Sequence, residues 1–133
     1  MNTFLWVLQI LVILHAIIGA VWKFSNSEQA IPSLKIIPHK VWLGISLFEV
    51  LCGLCLIVPA LSLIVPAFNI HLVAILAPIG AVCIAIEMLF FSGMHIYSGS
   101  AKHGSPGPMI YWLVVAVVCV FIAYARVALE PFL

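Results

Sequence analysis

Four long apolar stretches constrain the fold of this chain more than any other feature of its sequence. They cover about residues 4–24, 41–65, 71–97 and 109–127. A helix needs roughly 20 apolar residues to cross the ~30 Å hydrocarbon core of a bilayer, and each stretch has about that length. Only helices and closed barrels satisfy the backbone in lipid, and barrel strands are much shorter. The sequence therefore predicts four transmembrane helices.

The composition points to the same class of protein. Of the 133 residues, 66% are hydrophobic and 7% are charged, whereas about 25% of a soluble domain is charged. This length accommodates a single domain, residues 1–133, and at least one link between the stretches is short, so neighbouring helices run antiparallel. We predict an all-α membrane protein, an antiparallel four-helix transmembrane bundle, with the lipid bilayer as its first partner. A net charge of +1 with scattered lysines provides no basic stripe for nucleic acid.

The predicted loops give an orientation in the membrane. Residues 25–39 and 98–108 form the two longer connections, because they combine polar residues with proline or glycine, and residues 66–70 form a short link. The lysines Lys35, Lys40 and Lys102 lie in the longer connections, with Lys23 at a helix edge. The positive-inside rule then places these loops in the cytoplasm and both termini outside.

Ionisable side chains inside the apolar stretches mark the candidate functional site. Counted at about 1.5 Å per residue from helix ends on one face of the bundle, His15 lies about 13 Å deep, Glu49 about 12 Å and Glu87 about 15 Å. A lone carboxylate at such depth costs several kcal/mol, so we expect the three groups to converge. Two interpretations stay open: polar contacts that join helices, or a ligand-binding or proton-handling site.

Two further residues lie nearer the same end of the bundle. Lys23 follows His15 by eight residues, and His95 follows Glu87 by eight. Eight residues correspond to about 80° of helical rotation, so each pair can border one cavity. An apolar cavity with a few polar groups suits a quinone or another flat lipophilic ligand. The alternative is that Lys23 snorkels to the interface and that His95 is an interfacial residue.

The CGLC segment contains two of the four cysteines. Cys52 and Cys55 are three residues apart and thus neighbours on a helix. A redox-active pair is one interpretation, but thiols in hydrocarbon are poor nucleophiles and cysteine is an ordinary small packing residue. The sequence favours packing. No metal site is predicted, because the histidines near the helix ends and the thiols lie at different depths, and no motif supports haem binding by His15.

Three segments carry a resemblance to a known family. They are GAVWKF at residues 19–24, GISLFEVLCGLCLIVP at residues 44–59, which contains a Gly-x(4)-Glu segment, and AYAR at residues 123–126. With four spans, the chain resembles the DoxX-like family of small membrane proteins. Glu87 and CGLC stand where the family has small or apolar residues, so a site that uses them would be particular to this protein.

The resemblance implies two classes of function. Some members are subunits of quinone-linked redox complexes, and others are non-catalytic assembly chaperones. Our first hypothesis is a quinone-binding subunit of a bacterial inner-membrane redox complex, in which His15, Glu49 and Glu87 handle protons and Lys23 and His95 lie at the entrance. It would associate with other membrane subunits or with itself. Whether the chain is an enzyme stays open, since it contains no recognisable electron carrier.

Two alternatives belong to other classes. An assembly factor would hold membrane segments through small-residue helix faces and the polar residues. A small transporter would need a continuous polar path, and the half of the bundle away from the two longer loops looks too apolar to provide one.

Overall fold

The computed structural model describes residues 2–26, 37–61, 64–65, 74–97 and 107–129. It contains α1 (Asn2–Ser25), α2 (His39–Leu61), α3 (Leu76–Tyr97) and α4 (Gly107–Tyr124), and a π-helical turn, Ala125–Leu129, follows α4. All four α-helices are long and apolar enough to cross a membrane, and the described residues contain no strand. The predicted all-α four-helix bundle is confirmed.

The helix ends differ in detail from the predicted spans. The second helix ends at Leu61 rather than at residue 65, and the amides of Ile64 and Val65 donate to the Leu61 carbonyl in a turn, at 3.0 and 2.8 Å. Pro59 lies inside the last turn of α2, where it lacks the N–H that would donate to the carbonyl four residues earlier. The third helix begins at Leu76.

Several predictions fall on residues that the structure does not describe. These are the short link at 66–70, the start of the third span at 71–73, and most of the loops at 25–39 and 98–108. Lys35 and Lys102, on which the orientation depends, lie outside the described residues as well.

Helices that are consecutive in the chain pack against each other: α1 on α2, α2 on α3 and α3 on α4. The first and last helices, α1 and α4, contact each other little. Trp42 fixes the first of these junctions. Its indole N–H donates to the carbonyls of Lys23 and Asn26, at 3.0 Å each. Carbonyls in the last turn of a helix have no intrahelical partner, so this buried side chain joins the end of α1 to the beginning of α2.

Small residues bring the backbones close together at the centre. A Cβ on Gly80 of α3 would lie 2.9 Å from both the Cys52 carbonyl oxygen and Cys55 Cβ, and one on Gly53 of α2 would lie 3.3 Å from Ala16 Cβ. Small residues at contacts of this kind are typical of membrane bundles. The outward faces of all four helices carry large hydrophobic side chains, which is compatible with contact with lipid.

Candidate functional site

A cluster of charged side chains lies inside the bundle where α1, α2 and α3 meet. Lys23 Nζ donates a hydrogen bond to Glu49 Oε2 and lies 3.6 Å from Glu87 Oε1. His15 Nε2 lies 3.7 Å from Glu49 Oε1. Glu49 is 0% exposed and Glu87 is 5% exposed. The structure thus brings together His15, Glu49 and Glu87, which the depth count placed at one level, and adds Lys23 between the carboxylates.

Lys23 does not snorkel to the interface. It is 7% exposed, and its Nζ lies 5.4 Å from the centre of the Phe91 ring. A buried ammonium is costly alone, but it compensates carboxylates that would otherwise be buried without a partner. The two glutamates therefore hold Lys23 in the bundle.

The charges of this cluster do not balance. Two carboxylates share one ammonium, so the cluster carries one net negative charge when both glutamates are ionised and His15 is neutral. Buried atoms of three side chains make no hydrogen bond within the described part of the chain: Glu49 Oε1, both carboxylate oxygens of Glu87, and His15 Nε2. Because uncompensated charge and unpaired polar atoms are expensive in a low dielectric, the arrangement favours one extra proton, a water or a polar ligand atom.

Gly19 makes room for the Glu49 carboxylate. A Cβ at this position would lie 2.5 Å from Glu49 Oε1 and 3.3 Å from its Cδ. Gly19 was not predicted as a site residue, although the sequence contains a signal: His15, Gly19 and Lys23 are spaced by four residues and share one face of α1.

Tyr111 of α4 completes the site, a role that was not predicted from the sequence. Its hydroxyl is hydrogen-bonded to His15 Nδ1, and the two ring centroids are 5.5 Å apart. By helical rise Tyr111 lies only about 6 Å from the beginning of α4, whereas His15 lies about 15 Å from the end of α1. Counting residues from the helix ends therefore places Tyr111 and His15 at different depths in the bundle. The sequence contains no other signal that would pair them.

A cavity of about 280 Å³ opens between α1 and α4, with α2 and α3 behind it. It is lined by His15, Ile18, Gly19, Trp22, Lys23, Trp42, Met88, Phe91, Tyr111 and Trp112. Five of these ten residues carry Trp, Phe or Tyr rings. Ile18, Trp22 and Tyr111 are exposed and form the outer rim. The cavity thus has aromatic walls, and His15 and Lys23 of the charged cluster line it as well.

His95 does not line this cavity, contrary to the prediction that it borders the cavity with Lys23. It is buried, 4% exposed, and its ring meets the Trp112 ring edge-on, with centroids 5.8 Å apart and an interplanar angle of 78°. Since Trp112 lines the cavity, His95 supports one wall.

The half of the bundle away from this cluster is less apolar than predicted. Arg126, in the π-helical turn, donates to Gln9 Oε1, and its guanidinium lies 4.9 Å from the centre of the Trp6 ring. Gln9 is 0% exposed and Arg126 is 3% exposed. This pair was not predicted from the sequence.

The cysteines are free thiols. Cys52 and Cys55 lie on one continuous helix, α2; Cys52 is buried, and Cys55 and Cys83 are partly exposed. Within the described residues, no group of three or more His, Cys, Asp or Glu side chains is arranged to hold a metal ion.

No protein-family model matches this chain, and neither a curated protein nor a solved structure does. The similarity to the DoxX-like family stays a prediction from three short motifs. Function must be argued from the site itself.

Proposed function

We propose that this protein binds a quinone, or a similarly flat lipophilic molecule, in the cavity between α1 and α4. The observation that supports this proposal is the cavity itself. Its aromatic walls lie beside His15, Lys23 and Tyr111, and it opens between α1 and α4, which contact each other little. A mostly apolar pocket with a few convergent polar groups is the usual form of a small-molecule site.

The chemistry of the site fits the polar ends of a quinone. Its carbonyl oxygens accept hydrogen bonds, and the Tyr111 hydroxyl, the His15 imidazole and the Lys23 ammonium are possible donors. Its ring would stack against the aromatic walls. Quinone reduction consumes two protons with two electrons, and the excess carboxylate of the Glu49–Glu87 cluster provides a place to store a proton close to the cavity.

Electrons would come from outside the chain, whose sequence shows no recognisable carrier. The protein would therefore act as the ligand-binding and proton-handling subunit of a membrane redox complex. The DoxX-like resemblance, a bacterial inner-membrane location with both termini outside, and association with other subunits or with itself belong to the same proposal.

Ligand binding is directly measurable because the cavity contains its own fluorophores. Three of the four tryptophans, Trp22, Trp42 and Trp112, line it, and Trp6 does not. A short-chain ubiquinone analogue titrated into the detergent-purified protein should quench most of the tryptophan emission and raise the Tm. Mass spectrometry of an organic extract should detect a co-purified quinone.

Two variants and one control locate the binding. Tyr111→Phe and His15→Gln should each weaken binding about tenfold, since a lost hydrogen bond is worth about 1–1.5 kcal/mol. Val117→Ala, on the exposed outer face of α4, should bind like the wild type. Quenching that is equal in all variants, or a protein that retains no quinone and shows no shift in Tm, would contradict the proposal and favour a non-catalytic assembly role.

A further inference from the structure

The side chain of Tyr111 is itself a phenol at the mouth of the cavity between α1 and α4. Its hydroxyl is hydrogen-bonded to His15 Nδ1, and both residues line the cavity. Tyr111 lies on the exposed rim, whereas the His15 side chain is only 12% exposed. The nitrogen that bonds Tyr111 is therefore the one that a ligand in the cavity would meet.

The other ring nitrogen of His15 meets the charged cluster. His15 Nε2 lies 3.7 Å from Glu49 Oε1, and both atoms are buried without a hydrogen bond in the described part of the chain. The other oxygen of Glu49 accepts a hydrogen bond from the Lys23 ammonium, as carboxylates commonly do. Glu49 thus faces both neighbours as an acceptor.

These contacts assign the tautomer of His15. A carboxylate beside Nε2 favours the proton on Nε2, and in a neutral imidazole the other nitrogen is then an acceptor. Nδ1 therefore accepts the hydrogen bond, and the Tyr111 hydroxyl donates it. The polar atom that His15 offers to a ligand is an acceptor.

The rest of the site also has more acceptors than donors to offer. Of the donors that line the cavity, the Trp42 indole N–H already donates to two backbone carbonyls. The Lys23 ammonium is directed to Glu49 and Glu87. By contrast, Glu49 Oε1 and both carboxylate oxygens of Glu87 accept no hydrogen bond within the described residues. The site therefore favours a ligand that donates a hydrogen bond.

We propose, building on the ligand-binding function stated above, that the cavity prefers the reduced form of its ligand, a hydroquinone or a related lipophilic phenol. The ligand hydroxyl donates to His15 Nδ1 in place of the Tyr111 hydroxyl, so His15 keeps its tautomer and its position beside Glu49. A quinone carbonyl only accepts hydrogen bonds. It can take the same place only when the proton moves from Nε2 to Nδ1, away from the carboxylate, and the oxidised form therefore binds less tightly.

Glu49 is a positioning residue in this interaction, because it acts on the ligand through His15. Its Oε1 reaches α1 where Gly19 leaves room, since a Cβ on Gly19 would lie 2.5 Å from it. The carboxylate keeps the proton on Nε2 and so keeps Nδ1 available as the acceptor.

The test compares two ligands that differ in one hydroxyl, 4-pentylphenol and its methyl ether, 4-pentylanisole. Each is titrated into the detergent-purified full chain, with tryptophan emission as the readout and with both concentrations corrected for partition into the micelle. The phenol should bind about tenfold more tightly than the ether, which is the factor expected for one hydrogen bond. A short-chain ubiquinol analogue should likewise bind more tightly than its quinone.

One variant and one control locate the preference. His15→Phe keeps an aromatic ring at the cavity but removes the acceptor, so the phenol and the ether should bind it equally. Val117→Ala, on the exposed outer face of α4, should keep the wild-type preference.

Nitrogen-15 NMR of the ligand-free wild type tests the tautomer without any ligand. The His15 signals, identified by their absence from the spectrum of His15→Phe, should show a protonated Nε2 and an unprotonated Nδ1. A structural role of His15 alone would not fix which nitrogen carries the proton.

Equal binding of the phenol and the ether to the wild type would overturn this preference while leaving the cavity as a ligand site. A proton on Nδ1 in the ligand-free protein would overturn it as well. If the phenol, the ether and the quinone all fail to bind, the proposed function falls and the preference falls with it. The wild-type comparison of phenol with ether does not depend on the folding of any variant.

Discussion

Replacing Gly19 by alanine tests whether the charged cluster is held in a fixed geometry. The new Cβ would lie 2.5 Å from Glu49 Oε1, and ordinary contact begins at 3.4 Å, so the carboxylate must move by about 0.9 Å. Glu49 cannot make this movement alone, because its other oxygen accepts the hydrogen bond from Lys23. The added methyl group therefore competes for space with the ion pair between Lys23 and Glu49.

The magnitude follows from three contributions. Overpacking in a dense core costs about 1–3 kcal/mol, and loss of a hydrogen bond between charged groups costs about 1.5–3 kcal/mol. Alanine in place of glycine in a helix offsets about 1 kcal/mol. We expect Gly19→Ala to lower the free energy of unfolding by about 1.5–5 kcal/mol.

Reversible unfolding in mixed detergent–SDS micelles, followed by tryptophan fluorescence, measures this change. Gly44→Ala on α2 is the matched control, because no atom lies within 4 Å of its Cβ position, and it should be neutral or slightly stabilising. If Gly19→Ala and Gly44→Ala unfold at the same SDS fraction, Glu49 is free to move, and the argument for a fixed cluster fails.

Three further changes extend this test to other parts of the bundle. Lys23→Met leaves two buried carboxylates without their cation and should cost about 3–5 kcal/mol in the same assay; a near-neutral result would mean that the glutamates are not ionised together. Trp42→Phe removes the indole donor to two carbonyls at the end of α1 and should cost about 1–3 kcal/mol, seen also as faster hydrogen exchange there; unchanged exchange would contradict the proposed junction. Gly80→Ala should destabilise by about 1–3 kcal/mol, whereas Gly93→Ala on the same helix, with open space around its Cβ, should not; equal effects would show that α2 and α3 separate easily.

The sequence predicts the helices well because their lengths match the thickness of a bilayer. It also predicts that His15, Glu49 and Glu87 share one level, because helical rise converts residue numbers into depth. It does not predict which residues meet across an interface. The helices are apolar on nearly every face, so no apolar stripe indicates how each is rotated about its axis. The contact of Tyr111 with His15 depends on that rotation, and it was not predicted.

The side of the bundle between α1 and α4 is where the proposed ligand would enter at the lowest cost. The junctions of α1 with α2 and of α2 with α3 contain the Trp42 hydrogen bonds, the charged cluster and the contact at Gly80, so opening them would break several buried interactions. Beside the cavity, by contrast, the polar connection between α1 and α4 in the described structure is the hydrogen bond between His15 and Tyr111, worth about 0.5–1.5 kcal/mol net. The hydrogen bond from Arg126 to Gln9 lies in the other half of the bundle. A ligand hydroxyl that replaces the Tyr111 hydroxyl as the partner of His15 recovers the hydrogen bond lost there. The proposed ligand would therefore exchange with the bilayer through this side without breaking the ion pairs of Lys23 with Glu49 and Glu87.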